Sequence, residues 1–259
     1  MNDRFALGGA RIFDGSTWHD DAALLLRGGL IEGVAARGGL DPAIPLLELD
    51  GGILTSGFID LQVNGGGGVM LNDGPSVETI RTICRAHAPF GTTALLPTLL
   101  TDSQEITAAA IEAGAQAARE NVPGFLGLHL EGPHLSLARK GAHDPALIRP
   151  MEDEDQAALI AARPKMPVLL TTLALESVEL SRIRALSAAG VIVSLGHSDT
   201  SHRNALAASA AGASMATHLF NAMSQLGSRE PGLAGAVLDS DTLWAWLIAD
   251  GFHVGPATI

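Results

Sequence analysis

The chain has 259 residues, 47% of them hydrophobic and 4% aromatic, with no tyrosine and a formal net charge of −12. That length fits two small domains or one α/β barrel, and the acidity argues against a nucleic-acid or anionic-membrane surface, both of which need a basic footprint. The mean hydropathy of +0.26 comes from short Ala, Leu, Ile and Val runs, none reaching the roughly 20 residues that cross a bilayer. MNDRFALGGA reads as neither a basic leader nor a signal peptide. The single cysteine, Cys84, forbids an intrachain disulfide, so a cytoplasmic location is expected.

Residues 1–52 read as short β pieces between Gly-rich turns (RIFDGSTW, AALLLRGGLIEGVA, PLLELDGGI). They predict a small β module of sandwich type ahead of a main domain over 53–259. From Gly57 the texture becomes strand, loop, helix. GFIDLQVNG predicts a strand, and Val77, Ile80, Cys84 and Ala88 recur at helical spacing across Ser76–His87. TTALLPTLLT is the next strand, and Asp102 or Ser103 caps an Ala-rich helix running to about Arg119. In FLGLHLEGPH a third strand is stopped by Gly132-Pro133, with Glu131 at its end and His129 on the same face. Taken alone, Glu131 reads equally well as the cap of a following turn, and His129 as a hydrogen-bonded core histidine. There follow an acidic helix start at Met151–Asp155, a strand at Val168–Ala174, a helix near Ser177–Ala189 and a strand at Val191–His197. Ser198-Asp199-Thr200 is expected to cap a helix ending at Gly212, and MATHLFNAM and LWAWLIADGFHV supply two more strands. This alternation implies a parallel sheet. The expected fold is α/β, a TIM-like (β/α) barrel lacking its last strand, with an open seam between the first and seventh strands.

Several of these strands end in residues that ligate metals or bind substrates: Gln62 and Asn64, Glu131, His197, His218, and Asp250 with His253. Each is unremarked alone, but a barrel gathers strand ends around one mouth. Glu131, His197 and His218 form a one-carboxylate, two-imidazole set suited to a catalytic zinc that keeps its fourth position open. The neutral amides of Gln62 and Asn64 are poor ligands, so one metal is expected and not two. His19, His87 and His202 read as surface or helix residues. An anionic substrate on so acidic a protein needs local donors.

The segments GFIDLQVNG, GLHLEGPHL, KGAH, VSLGHSDT, THLFNAMS and DGFHV, in that order, resemble the N-acetylglucosamine-6-phosphate deacetylases of the amidohydrolase superfamily, over essentially the whole chain. Gln62-Val63-Asn64 stands where many superfamily members carry His-x-His, similar to the single-metal branch. The resemblance implies metal-dependent hydrolysis of the acetamide of N-acetylglucosamine 6-phosphate to glucosamine 6-phosphate and acetate, in amino-sugar catabolism. It implies one divalent ion, expected to be zinc, on Glu131, His197 and His218. His143 and His253 would meet the sugar and the acetamide, with His253 also in catalysis, and Gln62 and Asn64 would flank the substrate. Asn221 and Ala222 would form a phosphate-binding turn, and Arg229 would reach the phosphate across a homodimer interface. The resemblance also implies a general-base aspartate on an eighth strand, beyond residue 259, and a C-terminal segment that completes the β module. Asp250 matches a different family position. Greatly reduced or absent turnover is therefore expected of this chain by itself. The alternatives are an amidohydrolase acting on a different amide and a non-catalytic sugar-phosphate binder.

Overall fold

The computed structural model describes residues 3–259, which divide into one unit running to Phe58 and another from Ile59 to Ile259. In the first, Arg4–Gly8 pairs antiparallel with Ala22–Arg27 and parallel with Leu46–Glu48, and Ala22–Arg27 pairs antiparallel with Leu30–Ala36. Arg11–Phe13, Trp18–His19 and Ile53–Thr55 form a second sheet. Small side chains, Ala6, Ala22 and Ala23, are buried in this unit together with Ile12. Arg4–Gly8 was not among the pieces expected from sequence, and Ile53–Thr55 pairs with Arg11–Phe13, so this β unit extends past residue 52.

The second unit, whose first strand starts at the boundary residue Phe58, holds a curled sheet of seven strands in chain order: β1 (Phe58–Val63), β2 (Thr92–Leu100), β3 (Gly127–Glu131), β4 (Val168–Leu173), β5 (Ile192–Leu195), β6 (Met215–Ala216) and β7 (Trp244–Ala245). All pairings from β2 to β7 are parallel. Between consecutive strands run α1 (Val77–His87), α2 (Gln104–Arg119), α3 (Asp153–Ala162), α4 (Leu180–Ala188), α5 (His202–Ala210) and α6 (Gly232–Asp239). This is the TIM-like (β/α) architecture expected, with β1 and β7 as the sheet's two edges. Among the described residues, no helix is long and apolar enough to cross a membrane.

Local chemistry sets the helix starts. Ser76 and Ser103 accept the backbone N–H of Thr79 and Ile106, each satisfying one of the orphan donors of a first turn. The expected cap at Ser198-Asp199-Thr200 gives way to Ser201, which accepts from Asn204. The Ser198 hydroxyl is instead drawn to Glu176, 2.7 Å away. On β3 the side chains alternate, sending Leu128 and Leu130 to the helices and His129 and Glu131 to the interior. Leu128 packs so closely on α2 that a Cβ on Gly114 would lie 2.5 Å from its Cδ1, which explains a glycine inside that helix. In the interior, hydroxyls tie the strands together: Thr172 Oγ1 lies 2.6 Å from Thr217 Oγ1, which lies 2.7 Å from Ser194 Oγ.

Two strands are shorter than expected. β6 and β7 share only the rungs Met215↔Trp244 and Ala216↔Ala245. The chain leaves β6 because His218, Phe220 and Ala222 adopt φ of 34°, 76° and 49°, which no strand accommodates. After β7, the Asp250 carboxylate accepts the N–H groups of Phe252 and His253 and folds a turn.

Candidate metal centre

Glu131 is the last residue of β3, while His197 and His218 each follow the end of their strand by two residues. Gly196 leaves room for the neighbouring strand's side chain just before His197, since a Cβ would lie 2.8 Å from Thr172 Cγ2. His197 and His218 both take positive φ, 47° and 34°, a conformation costing about 1–3 kcal/mol per residue that persists only when its surroundings enforce it. All three side chains are buried.

Their polar atoms converge. Nε2 of His197 lies 3.2 Å from Oε1 of Glu131 and 3.1 Å from Nε2 of His218, which is itself 3.1 Å from the same carboxylate oxygen. The other ring nitrogens settle the tautomers. His197 Nδ1 faces the Arg139 carbonyl at 2.8 Å, and His218 Nδ1 faces the Asn221 carbonyl at 3.1 Å. A carbonyl only accepts, so each Nδ1 carries the proton, and in the neutral ring each Nε2 turns a lone pair into the triangle. Three acceptors at such separations repel. One proton bridges one edge of the triangle, whereas a divalent cation satisfies all three atoms. Tetrahedral zinc with bonds of 2.0–2.1 Å spaces its ligands by roughly 3.3 Å, close to the edges observed.

Glu131, His143 and His197 also lie near enough to share an ion, but the hydrogen bonds favour the first set. The backbone N–H of Thr101 donates to His143 Nδ1 at 3.2 Å. That makes Nδ1 the acceptor and leaves the proton on Nε2, which faces Glu131 Oε2 at 3.6 Å. His143 in this form presents a proton and not a lone pair. Burial pushes the Glu131 carboxyl pKa up, and the hydrogen bond from His143 leads the contacts that outweigh it and hold the group well below the usual carboxylate range. Beneath the cluster, burial lowers the pKa of His129 to about 4. Its Nε2 sits 2.7 Å from Thr172 Oγ1, so it is a hydrogen-bonded interior histidine.

The remaining expected site residues separate. Gln62 does not lie open to a substrate: its Nε2 stands 2.9 Å from each Glu131 oxygen and its Oε1 accepts the indole N–H of Trp246 at 3.2 Å. Asn221 and Ala222 lie on the turn that carries His218, and Asn221 Nδ2 is buried without a hydrogen-bond partner. Asn64 and Arg229 are exposed. His253 is not drawn into the cluster; it is 58% exposed and hydrogen-bonded to Asp250 at 2.6 Å, because β7 ends at Ala245 and leaves both residues in a solvent-facing turn. Sequence reasoning missed Trp246 and Thr101. Trp246 lay inside a segment read simply as strand; Thr101 acts through its backbone N–H, which no side-chain pattern reveals.

The amidohydrolase family model matches residues 53–259. The chain belongs to the amidohydrolase family. Within this metal-dependent family, it is similar to the N-acetylgalactosamine-6-phosphate deacetylase of Shewanella sp. (strain ANA-3), 49% identical over 212 residues, or 82% of this chain and 53% of that protein. It is also similar to the N-acetylglucosamine-6-phosphate deacetylase of Haemophilus influenzae, 40% identical across 90% of this chain and 61% of that protein. Among solved structures, the N-acetylglucosamine-6-phosphate deacetylase of Pasteurella multocida matches with a TM-score of 0.92 at 36% identity, over 97% of this chain and 66% of that one. This amidohydrolase chain thus spans about half to two thirds of the length of these relatives.

Proposed function

We propose that this chain carries the metal site and substrate-facing turn of a deacetylase that hydrolyses N-acetylglucosamine 6-phosphate to glucosamine 6-phosphate and acetate. The observation that carries the reading is the buried, acceptor-only triangle of Glu131, His197 and His218, on a chain whose relatives act on N-acetylated amino-sugar phosphates. A mixed imidazole–carboxylate set supports one divalent ion, with zinc as our assignment. Such an ion supplies Lewis-acid polarisation of an amide carbonyl and acidifies water near neutral pH.

The chain's own residues bind and orient. The Nε2–H of His143, next to the cluster, donates to whichever carboxylate or carbonyl oxygen occupies its front. Asn221 Nδ2, a buried donor without a partner, suits a substrate oxygen, and a buried donor left unpaired costs about 1–3 kcal/mol. With Ala222 and Arg229 it forms the phosphate-facing group we propose on this acidic protein, with Arg229 acting across a homodimer interface. His253 and Asn64 belong to the substrate side in this reading. Among the described residues, the hydrogen bonds and ion pairs of Glu131 come from Gln62, His143, His197 and His218 and include no second carboxylate. The first unit, with its two sheets, is our candidate for a β-sandwich module, and we place the protein in the cytoplasm.

The identity to the N-acetylgalactosamine-6-phosphate deacetylase of Shewanella favours a second reading, in which the 4-epimer is the preferred sugar. Calorimetry of the zinc-loaded chain with N-acetylglucosamine 6-phosphate, N-acetylgalactosamine 6-phosphate and unphosphorylated N-acetylglucosamine separates the cases. The expected result is binding that requires the phosphate, tighter for the gluco sugar, with slow acetate release. Tighter binding of the galacto sugar selects the second reading, and equal binding of the unphosphorylated sugar overturns both.

A further inference from the structure

The Gln62 amide lies between a group that only donates and one that only accepts. Its Oε1 takes the Trp246 indole N–H, and its Nε2 bridges both oxygens of Glu131. An indole offers no lone pair and an ionised carboxylate offers no proton, so these partners fix which end of the amide faces Glu131. Turned over, the amide would set oxygen against oxygen on one side and N–H against N–H on the other. Trp246 is itself anchored. Its carbonyl accepts the N–H of Leu219, the residue after His218, at 2.9 Å. Its ring meets the His129 imidazole edge-on, with centroids 5.9 Å apart.

We propose that Trp246 is a positioning residue for the metal carboxylate. By locking the amide with its NH2 toward Glu131, it holds that carboxylate in one orientation before any ion arrives. It also turns away the amide oxygen, the only atom through which Gln62 could ligate a second cation. The side chain acts through Gln62: its hydrogen bond goes to that amide and its ring contact to His129. The inference rests on the metal site proposed above, and it accounts for a single ion through an orientation imposed on Gln62, not merely through the residue type at that position. Outer partners that orient a ligand in this way typically change metal affinity by roughly 10- to 100-fold when removed.

The test is zinc titration, in competition with a chromophoric chelator, of the wild-type chain, Trp246→Phe, Gln62→Leu, the double variant and Gln62→Glu. Phenylalanine keeps an aromatic ring beside His129 and removes only the N–H. The wild type is expected to bind one ion. Both single variants are expected to bind it roughly 10- to 100-fold more weakly. The double variant should be no weaker than Gln62→Leu, because the indole has lost the group through which it acts. Gln62→Glu, which replaces the NH2 by an acceptor beside Glu131, is expected to take up a second ion. Unchanged affinity in Trp246→Phe, an additive loss in the double variant, or a single ion bound with unchanged affinity by Gln62→Glu overturns the proposal. A wild type that takes up no ion overturns the metal site as well, so the two failures are distinguishable.

Discussion

Of the groupings of histidine and carboxylate in this unit, two differ most in setting, and the shorter contact belongs to the less consequential one. His253 Nδ1 lies 2.6 Å from Asp250 Oδ2, closer than His197 or His218 comes to Glu131 at 3.2 and 3.1 Å. The Asp250–His253 pair forms within one turn, three residues apart, with side chains 39% and 58% exposed. Water satisfies whatever the pair leaves unmade, and such contacts contribute little. The Glu131 cluster draws on three strands, is sealed from solvent, and commits the outer nitrogen of both histidines to backbone carbonyls. A short distance does not make a site. A buried surplus of acceptors, of which neighbouring donors reach only the Glu131 carboxylate, does.

The largest effect that bears on this contrast is loss of the ion. His197→Ala and His218→Ala each remove a lone pair from the triangle and should weaken zinc binding by more than the roughly 10- to 100-fold typical of outer partners, whereas His253→Ala should leave chelator-competition affinity unchanged. In stability, Leu128→Ala empties a fully buried position against α2 and is expected to cost about 2–5 kcal/mol in urea unfolding. Phe252→Ser, at a position 93% exposed, should stay within about 0.5 kcal/mol. The smallest effect is electrostatic and local. The His253 hydrogen bond, with help from the backbone amides of His253 and Phe252, lowers the Asp250 pKa from 3.8 to about 2. The folded value lies below the unfolded one, so its contribution is present above pH 3.8 and is lost as pH falls through about 2. His253→Ala should move the Asp250 carboxyl titration, followed by NMR, back toward 3.8; no movement would mean the pair does not form in solution.

The strand ends were legible in the sequence because a β-run closed by Gly-Pro, or followed by His, states its own boundary. β2, β3 and β4 fall within a residue or two of their expected limits, and Glu131, His197 and His218 lie together at the strand ends. The helix α6 did not show itself. Gly232 to Val237 are all buried, and a helix buried all round leaves no polar face to mark the period. β6 and β7 were overextended, since positive-φ residues and a side-chain-closed turn end them, and apolar patterning reports neither. Gln62 was placed at the mouth but assigned to the substrate. What its amide faces depends on Trp246, 184 residues away along the chain, a partner that only the fold brings near.

The most direct test of the account is the identity of the atoms that hold the ion. An anomalous-difference map, recorded at the zinc edge from crystals of the zinc-loaded chain, should show one site per chain ligated by Glu131 and by Nε2 of His197 and His218, with His143 beside it and unligated. A zinc bound through His143 in place of His218, or no zinc among these side chains, would contradict it.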